Sequence, residues 1–251
     1  MRKFGLIGLQ LSHSFSKKYF DNKFKVEKIE HTQYELYELN TLDELIQLIE
    51  DNPQLLGLNV TLPYKEKVLP FMDELSPIAQ TVGAVNTISI QRNSNKKAYL
   101  KGYNTDVIGF QESLKPFLKP QNKQALIFGT GGASKAIAYA LNQLRITYRW
   151  VSRNPKNEKT LSYKAITGDL LSPHLLLINC TPLGMYPNIE GHPPFQLDLI
   201  QDTHLVYDLI YNPLETTLLK VSREKGAQSI NGLSMLELQA EAAWKIWNNL
   251  R

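Results

Sequence analysis

Apolar residues fall in short bursts along the first hundred positions, and the spacing inside each burst changes from one to the next. The run KFGLIGL (3–9) is brief, apolar and glycine-bearing, and predicts a first strand. Residues 16–24 predict a helix, and TQYELYEL (32–39) alternates with the period of a strand. In TLDELIQLIEDN (41–52), Leu42, Leu45, Ile46 and Ile49 recur at helical spacing, and Thr41 with Glu44 forms a capping-box pattern. LLGLNVTL (55–62) predicts the next strand. SPIAQTVGAVNTISI (76–90) predicts a short helix, a glycine turn and another strand, and the polar tract at 91–99 a hairpin loop. Strand and helix alternate, so this half predicts an α/β fold on a largely parallel sheet.

A second α/β series starts near Gln124. QALIFGTGGASKAIAYALNQL is an apolar strand, a glycine turn and a long helix. YRWVSRN, LLLINCTPLGM and HLVYDLIYNP predict three further strands with their loops. An amphipathic helix carrying Met235, Leu236, Leu238, Ala242, Trp244 and Trp247 follows. No repeat of solenoid type is present. The pattern predicts two α/β domains divided near residues 103–123.

Composition narrows the classes. With 251 residues and 43% hydrophobic positions the chain can bury a substantial core. Lys plus Arg less Asp plus Glu is 28 − 24 = +4, spread without a dense basic block, which argues against nucleic acid and is compatible with a small anionic ligand. Cys180 is the only cysteine, so no internal disulfide forms, in keeping with a reducing compartment. The first apolar run is too short for a signal peptide or a membrane span, which predicts a cytoplasmic protein with no membrane partner.

Gly129-Thr130-Gly131-Gly132-Ala133-Ser134 lies between an apolar strand and a helix, the context that gives a glycine fingerprint meaning. Gly129 permits the tight turn, and Gly131 lets the backbone approach a pyrophosphate met by free N–H groups and the helix dipole. Ser134 stands where a third glycine is usual, with Gly132 and Ala133 supplying smallness. At the end of the next strand, Ser152-Arg153 occupies the place where an NAD site puts an acid. Arg153 can pair with a ribose 2′-phosphate, which favours NADP over NAD; the plainer reading is a solvated arginine at a strand end.

Polar groups recur where α/β proteins collect their ligands. Ser14 and Ser16, in Ser12-His13-Ser14-Phe15-Ser16, project to one side if extended and suit a carboxylate or polyol, or else serve as helix caps. Asn59 and Thr61 interrupt an apolar strand, Asn86 does the same in GAVNT, and Asn104-Thr105-Asp106 repeats the theme at the domain junction. The histidines show no HExxH or other paired spacing, so no metal site is expected. There is no GxSxG elbow and no GxxxxGK[ST] loop. Cys180, in LLLINC, reads as a small core residue.

The motifs SHSFS, NVTLPYKEK, GAVNT, NTDVIGF, GTGGAS, SRN, YDLIYNPLET and NGLSMLELQA, taken in order from Ser12 to Gln239, resemble those of the shikimate dehydrogenase family. The resemblance implies an N-terminal three-layer α/β substrate domain, residues 1–103 joined by the helix at 233–251, and a Rossmann-like NADP-binding domain at 104–232. It implies NADPH-dependent reduction of 3-dehydroshikimate to shikimate, in aromatic amino-acid biosynthesis. By matching motif positions, Ser14 and Ser16 hold the substrate carboxylate; Asn59, Thr61, Asn86, Asp106 and Gln239 take its hydroxyls; and Lys65 is catalytic. The turn Gly129 to Ala133 and Arg153, with Ser152 beside it, hold NADP; Thr181, Gly232 and Met235 line the nicotinamide end; and Tyr211 lies near both ligands.

Three departures stand out: Lys17 where the family often has proline, Phe20-Asp21 where it has His-Asn, and a short stretch between Arg153 and Asn179. Carbonyl reduction needs a proton for the nascent alkoxide, and Lys65 paired with Asp106 is the expected source. The plainer reading of Lys65 is a lysine in a helix's first turn, where the dipole disfavours it. Two rivals stay open: a quinate/shikimate dehydrogenase or a paralogue for another small hydroxy acid, and a non-catalytic nucleotide-binding module. Monomer and homodimer are equally compatible with the aromatic C-terminal helix.

Overall fold

The computed structural model describes residues 1–12, 14–92 and 97–249. His13 and the interior of the 91–99 loop therefore lie outside the described residues. The chain divides into two compact units, Met1–Thr105 with Ala240–Arg251, and Asp106–Gln239.

Unit one is built from β1 (Arg2–Gly8), α1 (Phe15–Val26), β2 (Thr32–Glu38), α2 (Glu44–Asp51), β3 (Leu55–Val60), β4 (Glu74–Leu75), α3 (Pro77–Val82), β5 (Thr87–Arg92) and β6 (Ala98–Tyr103). Its six-stranded sheet runs β2-β1-β3-β5-β6-β4. The sheet is mixed: β1 lies parallel to β2 and β3, whereas β5 is antiparallel to both β3 and β6. The expected parallel character stops at β5, which enters beside β3 in the opposite direction, and β6 pairs antiparallel with it in turn. The predicted helix over 41–52 is shorter, starting at Glu44; residues 41–43 form a turn in which the Glu44 carboxylate accepts the Thr41 amide at 2.8 Å.

Both faces of this sheet are covered, giving three layers. Ile7, Leu58, Val60 and Ile88 pack with Leu45 and Ile49 of α2 on one side. Phe4, Leu6 and Tyr34 pack with Phe20 and Phe24 of α1 on the other. Trp244 and Trp247 join this second cluster from α8 (Leu233–Trp247), and the Trp247 indole N–H donates to the Ile88 carbonyl at 2.9 Å.

Unit two contains α4 (Asp106–Leu114), β7 (Gln124–Phe128), α5 (Gly132–Gln143), β8 (Thr147–Ser152), β9 (Thr160–Ser162), α6 (Gly168–Leu171), β10 (Leu176–Asn179), β11 (Leu205–Asp208), α7 (Thr217–Glu224), β12 (Gln228–Ile230) and the first part of α8. Its strands run β9-β8-β7-β10-β11-β12, every pair parallel, which is the doubly wound order with its switch point between β7 and β10. The central strands β7, β10 and β11 are largely apolar and buried because helices cover both faces of a parallel sheet, whereas β8, β9 and β12, toward the edges, carry polar residues and are partly exposed. The short stretch between β8 and β10 holds only β9, a 3₁₀ turn and the four-residue α6.

Candidate active site

In unit one the polar residues singled out in the sequence lie at the exits of β1, β3 and β6 and at the start of β5. Ser14 is the N-cap of α1, its hydroxyl oxygen accepting the Ser16 amide at 3.3 Å. A capping hydroxyl still has its own proton to donate, so the cap and ligand readings are compatible. The loop carrying Ser14 is pinned from β2, whose Glu38 carboxylate accepts the Leu11 amide at 2.6 Å.

Ser16 is buried in the first turn of α1, and Asn59 and Asn86 are buried on and beside the sheet. The Asn59 oxygen accepts the Tyr34 hydroxyl at 2.8 Å, and its amide nitrogen donates to the Asn86 carbonyl and to Thr87 at 3.3 and 3.2 Å. Asn86 in turn donates to the Thr105 hydroxyl at 2.9 Å and accepts the Thr105 amide at 2.7 Å. Burial without partners would cost each of these groups about 1–3 kcal/mol, so the network is held in one arrangement. Asn104 donates to the Ala84 carbonyl at 2.9 Å, while its buried side-chain oxygen meets no hydrogen-bonding partner.

Thr61 and Lys65 leave β3 by a corner. The Thr61 amide donates to Ile7 and its carbonyl accepts the Tyr64 amide, each at 2.9 Å. Buried Tyr64 donates its hydroxyl to the Leu39 carbonyl at 2.6 Å, and the Lys65 carbonyl accepts the Val85 amide at 2.7 Å. Lys65 thus sits on a corner clamped before and after it. It lies in a turn, not in the first turn of an α-helix, so the dipole objection to a lysine there drops away.

In unit two, Gly129 follows β7 with φ +103°, where any side chain is strained, and its amide donates to Val151 at 2.9 Å. A Cβ on Gly129 would lie 3.2 Å from the Thr181 methyl and 3.3 Å from the Cys180 carbonyl, so the turn nestles against the exit of β10. Thr130, Gly131 and Gly132 lead into α5, with Gly131 as its N-cap; Ala133 and Ser134 follow in its first turn. The buried Ser134 hydroxyl donates to the Gly131 carbonyl at 2.7 Å, which is how a serine substitutes for glycine there without an orphaned group. The amides of that first turn have no intrahelical acceptors and face the switch point.

Ser152 ends β8, its hydroxyl accepting the Asn154 amide at 3.3 Å. Arg153 is exposed, close enough to Tyr163 that its charge opposes the burial that pushes that phenol up to about 12. Thr181 is locked by Asn179, whose side-chain oxygen accepts both its amide (3.0 Å) and its hydroxyl (2.7 Å). Asn179 is held by the Asp208 carboxylate at 3.0 Å, which also accepts the Ile210 amide (3.1 Å) and the Thr216 hydroxyl (2.7 Å).

Burial pushes Asp208 up to about 6 against those three hydrogen bonds. Burial, with Asp208 and Asp106 adding their charge, pushes the Cys180 thiol well above its ordinary range, so Cys180 is inert as a nucleophile. Gly232 donates to the Ile210 carbonyl at 3.0 Å, and a Cβ there would collide with the Leu209 carbonyl. Met235 and Gln239 lie on α8, where Gly109 of α4 lets the two helices approach closely. Tyr211 follows β11 in a loop and is half-buried.

Tyr34, Asn179, Asp208 and Thr216 were not singled out in the sequence. An acid inside the apolar run HLVYDLIY was the one available signal for Asp208. Tyr34 sits in phase with the buried positions of an alternating strand and reads there as core.

A doubly wound parallel sheet with a glycine turn at its switch point, on a chain whose other unit gathers buried hydroxyls and amides, defines an oxidoreductase with a Rossmann-like domain. The family model for the shikimate dehydrogenase substrate binding domain matches residues 6–88. The NADP(+) shikimate dehydrogenase of Methanosphaera stadtmanae is 36% identical over 259 residues, covering 97% of this chain and 90% of the relative. A crystal structure of the Thermus thermophilus shikimate 5-dehydrogenase in complex with NADP(H) and shikimate superimposes with a TM-score of 0.85 at 30% identity, covering 100% of this chain and 94% of that one. The quinate dehydrogenase of Corynebacterium glutamicum in complex with NAD also reaches a TM-score of 0.85, at 28% identity, covering 99% and 94%. The chain belongs to the shikimate dehydrogenase family.

Proposed function

We propose that this protein interconverts 3-dehydroshikimate and shikimate with NADP as the hydride carrier, as a cytoplasmic enzyme of aromatic amino-acid biosynthesis. The observation that carries the reading is the 36% identity to an NADP(+) shikimate dehydrogenase along 97% of the chain, which takes in both units. Three features of unit two suit a phosphorylated dinucleotide: φ +103° at Gly129, the open α5 terminus behind it, and Arg153 in place of an acid at the end of β8. Gly129 to Ala133, Ser152 and Arg153 hold the dinucleotide, and Thr181, Gly232 and Met235 its nicotinamide end. When bound, NADPH supplies the hydride.

The remaining work falls to side chains. Ser14 and Ser16 take the substrate carboxylate; Asn59, Thr61 and Asn86 take its hydroxyls. From unit two, Asp106, Tyr211 and Gln239 are assigned to the substrate. Lys65 gives its proton to the alkoxide oxygen as it forms, with Asp106 as the carboxylate of the acid/base machinery. General acid catalysis of this kind is worth about 10²–10⁴-fold.

The fold matches a quinate and a shikimate enzyme equally well, so the substrate must be decided by assay. With NADP present, shikimate is added first and then quinate, and reduction is followed by NADPH absorbance. Rapid reduction with shikimate and little with quinate is expected; reduction with quinate alone, or with neither, rejects the proposal. Run on Lys65→Met, the same assay should lose roughly 10²-fold or more in kcat, and a variant retaining a tenth of the activity removes the acid role.

A further inference from the structure

Two of the three departures from the family's motifs, Lys17 and Phe20, meet on one residue of unit one. The Lys17 ammonium donates to the Tyr34 carbonyl at 2.6 Å, and the Phe20 ring stacks on the Tyr34 ring with centroids 4.3 Å apart and planes 14° from parallel. Tyr34 is fully buried on β2, with Trp247 against it at 6.4 Å. Its hydroxyl reaches one of the residues assigned above to the substrate: it donates to the Asn59 side-chain oxygen at 2.8 Å.

The consequences follow from donor and acceptor counting. A phenol hydroxyl has one proton, and here that proton points at Asn59. That choice orients the Asn59 amide, oxygen toward Tyr34 and nitrogen toward the Asn86 carbonyl and Thr87. A chain of hydrogen bonds therefore runs from Tyr34 through Asn59, Thr87 and Asn86 to Thr105.

We propose that Tyr34 is a positioning residue for the substrate: its hydroxyl sets the orientation of the Asn59 amide and, through it, of Asn86, and Lys17 and Phe20 hold its backbone and ring in place. This rests on the functional reading above. Tyr34 touches no reacting atom; it acts through side chains assigned to the substrate. The stack with Phe20 explains why an aromatic ring stands where the family has histidine.

The test is steady-state kinetics in the direction of shikimate oxidation on wild type, Tyr34→Phe, Asn59→Ala and the double variant, with thermal unfolding of each. Losing the hydroxyl should raise KM for shikimate about tenfold, with kcat and KM for NADP within about twofold of wild type. The double variant should be no worse than about the larger single, because both changes break one chain of contacts. An unchanged shikimate KM in Tyr34→Phe, while Asn59→Ala raises it, overturns the role of Tyr34 and leaves the functional reading intact. Equal losses in kcat and both KM values, in step with lost folding, also overturn it. A wild type that does not oxidise shikimate removes the reading and this inference together. Should Tyr34→Phe fail to fold, Phe20→Leu, which keeps the hydroxyl and removes the stack, should raise the same KM about threefold, and no rise overturns the proposal.

Discussion

Asp208 shows how much one buried carboxylate organises. It accepts from Asn179, Ile210 and Thr216, and Asn179 in turn fixes Thr181 beside the glycine turn. Its pKa rises from an ordinary 3.8 to about 6 because burial penalises the charge. Between those values the unfolded chain ionises Asp208 while the folded chain keeps it protonated, so the folded state binds the extra proton. The stability contributed at low pH is therefore lost as pH rises through about 6, amounting to about 3 kcal/mol. Asp208→Asn keeps an acceptor for Asn179 and Ile210 and has no charge to develop. Wild type should thus lose about 3 kcal/mol relative to this variant between about pH 4 and pH 7, read by denaturant unfolding at each pH. A difference that stays flat with pH refutes a folded-state pKa near 6. Asp208 and Tyr34 were illegible as functional supports for the same reason. Their partners lie 29 and 25 residues away for the bonds to Asn179 and Asn59, and nothing local signals a side-chain bond across strands.

Among the elements, α8 has the heaviest structural role. From Ala240 onward it packs on unit one, where Trp247 stacks on Phe4 at 4.8 Å, fills the space beside Gly57 and donates to Ile88. Lys23 of α1 is buried beneath it, reaching Glu241 at 2.8 Å and Glu27 at 2.6 Å. Burial pulls that ammonium down, but the two carboxylates more than offset it and raise its pKa. Trp247→Ala should cost about 3–5 kcal/mol, combining lost apolar burial with an unpaired Ile88 carbonyl. A urea midpoint shift equivalent to under about 1 kcal/mol would show that the helix end is not needed. Helices and strands of this kind were readable from periodicity, since α8 and α5 carry their apolar stripes openly. The antiparallel turn of the first sheet at β5 and β6 was less so: two alternating runs do not declare their relative direction, and only the polar tract between them hinted at a hairpin.

At the scale of the molecule, the doubly wound unit was legible because its signal is compact: a strand, φ > 0 at Gly129 and a helix follow one another within twenty residues (124–143). The order of its six strands was not legible, because pairing in a parallel sheet depends on crossovers that leave no local mark. The proposed preference of this unit for NADP is measurable on the intact protein. NADP at about 100 times its dissociation constant should stabilise the protein by about 2.7 kcal/mol. Arg153→Ala should abolish most of the advantage of NADP over NAD in thermal-shift titrations while leaving the weaker NAD shift unchanged. Equal losses for both nucleotides would refute a 2′-phosphate contact at Arg153.

Unit one is interrupted in sequence: its sheet and α1 are specified before residue 106, whereas Trp244 and Trp247, which complete its aromatic layer, follow the whole of unit two. During synthesis the ribosome must therefore decode unit two before the nascent first sheet can be sealed. Unit two, uninterrupted, is free to mature first, and the segment translated earliest waits longest, its exposed Phe4, Phe20 and Phe24 face available to chaperones in the interval.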